Sequence, residues 1–102
     1  MDIRKIEPSL LKTLTDTLKN TRNNYVGTLP LVERIRLDLL AELVRSDYIE
    51  IMYEYFVERT PAAILATGWD RNITTIHKNL DCGMSAFLLI EDLISDWFPG
   101  EG

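Results

Sequence analysis

The segment Thr60–Leu80, TPAAILATGWDRNITTIHKNL, decides how this chain is read. Thr60–Pro61 is a helix-start signal, with threonine as cap and proline at the first position. A short helix over Pro61–Thr67 follows and stops at Gly68, a residue suited to the left-handed conformation that ends many helices. Asp70 is placed to cap a next helix over Arg71–Leu80. The unit is therefore a short helix, a glycine turn and a capped helix, at about residues 60–80.

Such a pair needs a bracing helix, a tight turn and a second helix that is apolar on one side only. Ala63, Ile64 and Ala66 supply the small and apolar packing. Ile73, Ile76 and Leu80 form the inner face of the second helix. Arg71, Asn72, Thr74, Thr75, Lys78 and Asn79 then point outward, with His77 at the edge and Trp69 pinning the two helices together. Arginine can read guanine, asparagine can read adenine, and threonine can touch base edges or the thymine methyl group. These six outward residues are the expected contacts to double-stranded DNA.

Working outward, the apolar spacing is helical on both sides of this unit. Leu10, Leu11, Leu14 and Leu18 predict a helix from Pro8 to about Arg22. Leu31, Val32, Ile35, Leu39, Leu40, Leu43 and Val44 predict a second, central helix from Pro30 to Arg45. Ile49, Met52, Tyr53, Phe56 and Val57 predict a third over Asp47–Arg59, capped by Ser46 or Asp47. Its Glu50, Glu54 and Glu58 repeat every four residues and read as a solvated ridge. Gly83 is expected to break or bend the chain before a last helix, Met84–Trp97. The expected fold is all-α: a five- or six-helix single domain over residues 1–102, with a C-terminal helix-turn-helix-like unit.

With 102 residues, 46% hydrophobic and 26% charged, the chain has the composition of one ordinary globular domain. So short a chain buries a modest fraction of its surface, which leaves room for a homodimer. The formal charge is −5, from 11 basic and 16 acidic residues. That balance argues against a nonspecific polyanion binder, although the distribution is uneven. Residues 1–45 carry a net +2, and residues 61–102 a net −4. Lys12, Lys19, Arg22, Arg34 and Arg36 are candidates for phosphate contacts.

Cys82 is the only cysteine, so no intrachain disulfide can form. It reads as a small buried residue, and a cytoplasmic protein without a signal peptide or membrane span is expected. His77 and Cys82 cannot by themselves hold zinc. No phosphate-binding glycine loop, paired-acid arrangement or nucleophile motif is present. Neither an enzyme, nor a metal, nor a cofactor is expected. Trp97 and Phe98 at the end of the last helix belong either to the core or to a dimer contact.

The stretch from Tyr55 to Phe87, with Tyr55–Phe56–Val57 leading into the bracing helix and Leu80–Asp81–Cys82–Gly83–Met84 leading out of the recognition helix, resembles bacterial and phage regulators related to sigma-factor region 4. It covers about a third of the chain. The resemblance implies a small helix-turn-helix transcription regulator of bacterial, phage or plasmid type that binds double-stranded DNA. The alternative is an acidic helical protein-interaction module, an inhibitor, adaptor or anti-regulator that binds another protein and not DNA. The net charge and the glutamates of the third helix favour that alternative.

Overall fold

The computed structural model describes residues 6–100. They form five α-helices with no strand among the described residues: α1 (Pro8–Asn20), α2 (Leu31–Leu43), α3 (Ser46–Met52), α4 (Ala62–Gly68) and α5 (Ile73–Trp97). A 3₁₀ turn (Val26–Thr28) joins α1 to α2, and a π-helical turn (Tyr53–Val57) continues α3. The expected all-α class is what the structure has. No described helix is long and apolar enough to cross a membrane.

The break expected at Gly83 does not occur, and α5 runs unbroken for 25 residues. At a rise of about 1.5 Å per residue such a helix is about 37 Å long, close to the 41 Å long axis of the molecule. Its inner stripe, Ile76, Asn79, Leu80, Gly83, Met84, Phe87, Ile90 and Ile94, is buried throughout. Burying one large apolar side chain gains roughly 1.5–3 kcal/mol. A glycine inside a helix costs only about 1 kcal/mol relative to alanine. Several such burials outweigh one glycine, so the helix continues.

Gly83 has a packing reason as well. A Cβ there would collide with the Met52 side chain of α3, which is wholly buried. The missing side chain is what lets α3 lie against α5. The helices α2, α3 and α4 all pack on α5, while α1 covers the π turn and α2. Arg36 of α2 ties the layers together. Its Nε donates to Glu91 of α5 at 2.6 Å and its Nη1 to Glu33 at 3.2 Å. The hydrogen bond that Arg36 donates to Glu91 holds its pKa above the ordinary value, against the opposing effect of burial.

The third helix also departs from its expected form. It is α-helical only to Met52 and then widens, with the Glu58 amide donating to the Tyr53 carbonyl at 3.2 Å and the Thr60 amide to that of Glu54 at 2.9 Å. Arg59 closes it with a left-handed φ of 59°. The glutamate row is not a free ridge. Glu50 accepts from Arg22 at 2.8 Å, Glu54 accepts from Trp69 at 3.0 Å, and only Glu58 is exposed without such a partner among the described residues.

Two stability outcomes follow from this packing. Gly83→Val should destabilise the fold by roughly 1–3 kcal/mol in urea denaturation, because it overpacks the Met52 site. The same change in a Met52→Ala background should cost clearly less, a coupling that a double-mutant cycle reads. Thr17 is 1% exposed and its hydroxyl has no hydrogen-bond partner among the described residues. Thr17→Val keeps the shape and removes that burden, so it should raise stability by about 1 kcal/mol.

Candidate nucleic-acid interface

The helix–turn–helix unit forms, but with different parts from those expected. The bracing helix α4 anchors through Leu65, which is 2% exposed, flanked by the half-buried Ala62 and Ala66. Ala63 and Ile64 point to solvent, Ile64 at 60% exposure, so they do not supply the packing. A seven-residue helix presents its buried face through few positions, and here Leu65 holds it.

The turn occupies residues 69–72. Gly68 is the last residue of α4, and the left-handed position is Asp70, with φ 53°. The Asp70 amide donates to the Thr67 carbonyl at 3.3 Å, and the Arg71 amide to that of Ala66 at 2.9 Å. This is a Schellman closure, in which two bonds satisfy carbonyls that the helix end would leave open. Aspartate tolerates the left-handed region better than most side chains. Asp70 therefore ends α4 and does not cap α5. The cap is Asn72, whose Oδ1 accepts from the Thr75 amide at 2.8 Å and from the Thr75 hydroxyl at 3.0 Å.

Arg71 is not free to meet a ligand. Its Nη1 donates to Asn79 Oδ1 at 2.8 Å and its Nη2 to Asp47 Oδ2 at 2.7 Å, while its guanidinium lies 5.3 Å from the centre of the Trp69 ring. Asp47 also accepts from Arg45 at 3.0 and 3.1 Å. The indole of Trp69 donates to Glu54. These contacts form a polar clamp that locks the turn onto α3 and the π turn. Asn79 faces inward and is only 6% exposed. Its position was readable, since Asn79 falls on the same stripe as Ile76, Leu80 and Gly83. Arg71 and Asn79 thus leave the outward set, and they act as positioning residues.

What remains outward on the first turns of α5 is Asn72, Ile73, Thr74, His77 and Lys78, with Thr75 half-buried beside its cap. Ile73, expected inside, is 45% exposed. Cys82, expected to be buried, is exposed one turn further on. Among the described residues no group of three or more His, Cys, Asp or Glu side chains converges. Of the five phosphate-contact candidates, Lys12, Arg22 and Arg36 are held in ion pairs with Asp16, Glu50 and Glu91. Lys19 and Arg34 are exposed and have no ion pair among the described residues.

No family model matches the chain, and neither a curated protein nor a solved structure does.

The clamp carries a pH signature. The hydrogen bond from Arg71, helped by that from Arg45, holds the Asp47 carboxyl below its ordinary value of 3.8. A depressed folded-state pKa stabilises the fold above the unfolded value, and that contribution disappears as pH falls through the depressed one. Acid titration should therefore show the protein losing stability below pH 3.8, and Asp47→Asn should flatten that limb. An unchanged acid limb in the variant would remove Asp47 as its source.

Proposed function

We propose that this chain is a small helix-turn-helix DNA-binding transcription regulator of bacterial, phage or plasmid type, acting in the cytoplasm and similar to sigma-factor region 4 in its C-terminal unit. One observation carries the reading. The first two turns of α5 are capped, braced by α4 and clamped at Arg71, yet present Thr74, His77 and Lys78 to solvent. A rigid helix start with exposed polar side chains is what major-groove readout requires. Thr74 and Lys78 are then the residues for base edges and phosphate. Asn72 and Thr75 flank them at the helix N-terminus, where backbone amides suit a phosphate. Arg71 and Asn79 serve by fixing the angle of α5.

The second reading is the acidic protein-interaction module. It is favoured by Ile64 and Ile73, both exposed on either side of the turn, and by the exposed Asp70 between them. An apolar patch edged with acid suits a protein partner better than a phosphate backbone.

Fluorescence anisotropy against a mixed-sequence duplex at two salt concentrations separates the two. DNA binding should weaken steeply with salt. Lys78→Ala should lower affinity and reduce the salt slope by about one unit, while Thr74→Ala should lower affinity with the slope unchanged. Arg71→Ala is the wrong probe, because it opens the clamp. Absence of binding at low salt, with mixed and with selected sequences, would leave the protein-interaction reading.

A further inference from the structure

An open groove of about 600 Å³ lies between the start of α1 and the π turn, away from the α4–α5 unit. Ile6, Pro8 and Leu11 line one wall, and Tyr55 and Phe56 the other. The two rings stack at 5.0 Å between centroids, nearly parallel at 10°. The groove holds two cations, Lys12 and Arg59. Lys12 is already paired with Asp16 at 2.8 Å. Arg59 is exposed and has no ion pair among the described residues. The π turn and the left-handed Arg59 together set this guanidinium beside the aromatic wall.

The opposite chemistry stands at the far end of α5. Leu89, Leu93, Asp96 and Trp97 follow each other at steps that keep them on one helix face, with Asp92 adjoining. Leu89 is 50% and Trp97 53% exposed. Asp92 and Asp96 are exposed and carry no ion pair among the described residues. Trp97 does not line the groove of its own chain.

We propose that the groove of one copy receives the Leu89–Trp97 face of α5 from a second copy, with Trp97 against Tyr55 and Phe56, and Asp96 against Arg59. Each surface supplies what the other lacks: an aromatic wall with an unpaired cation, and an apolar ridge with unpaired carboxylates. Aromatic anchors in a pocket with a charge pair at the rim are how small interfaces concentrate their affinity. When both copies exchange the contact, the assembly closes as a two-fold dimer. The surface used is separate from Thr74, His77 and Lys78, so the proposal stands or falls independently of DNA binding.

Sedimentation equilibrium of the full chain over a wide concentration range tests it by charge exchange. The average mass should rise with concentration towards twice that of the monomer. Arg59→Asp suits the left-handed position, and Asp96→Arg suits a helix C-terminus, so both variants should fold, as circular dichroism would verify. Each alone should weaken association by roughly tenfold. The double variant R59D/D96R should recover most of that loss, and Trp97→Ala should abolish association. A chain that stays monomeric at every concentration would overturn the proposal. So would an association that R59D and W97A leave intact, or one that the double variant fails to restore.

Discussion

The buried stripe of α5 from Ile76 to Ile94 is the constraint on which the other elements depend. Helices α2, α3 and α4 all pack on this one long helix. The stripe works because it has a gap in it. Gly83 lets the Met52 side chain enter where a Cβ would collide with it. An isolated helix of this composition would gain from an alanine at that point. The folded chain does not, because tertiary contact outweighs local propensity.

On that frame a polar clamp does what apolar packing cannot. Short helices such as α4 bury too little to fix their own direction. Arg71 links Asp47 of α3, Asn79 of α5 and the face of Trp69, and Trp69 in turn reaches Glu54. Directional bonds from a planar guanidinium set angles more tightly than dispersion does. The arginine that a sequence reading places in the groove of a duplex is thereby engaged inside the protein. The start of α5 is held in place in exchange, with Thr74, His77 and Lys78 left exposed on it.

The charges divide in the same manner. The −5 balance does not spread evenly over the surface, because Arg22, Arg36 and Arg71 are taken up by ion pairs that join separate segments of the chain. Arg22 reaches across from the end of α1 to Glu50 and stacks on Tyr53. The exposed cations with no ion pair among the described residues are Lys19, Arg34, Lys78 and Arg59 at the aromatic groove, and Asp92 and Asp96 late in α5 are likewise unpaired.

Much was legible in the sequence. Apolar periodicity alone gave the all-helical class, the near-correct bounds of α1 and α2, and Ile76 and Leu80 as inner positions. The Thr60–Leu80 punctuation placed a short helix, a turn and the start of a second helix, although the cap is Asn72 and that helix runs on to Trp97. These features are local, since they depend on residues three or four apart. What the sequence could not decide was anything that depends on a partner far along the chain. Gly83 reads as a breaker until Met52 is seen above it. Gly68 reads as the left-handed residue until the closing bonds fall on Asp70. Arg71 and Asp47 are 24 positions apart, and no spacing rule joins them. The tertiary structure alone decided which polar side chains were used up inside and which were left exposed, because that choice is made by neighbours in space.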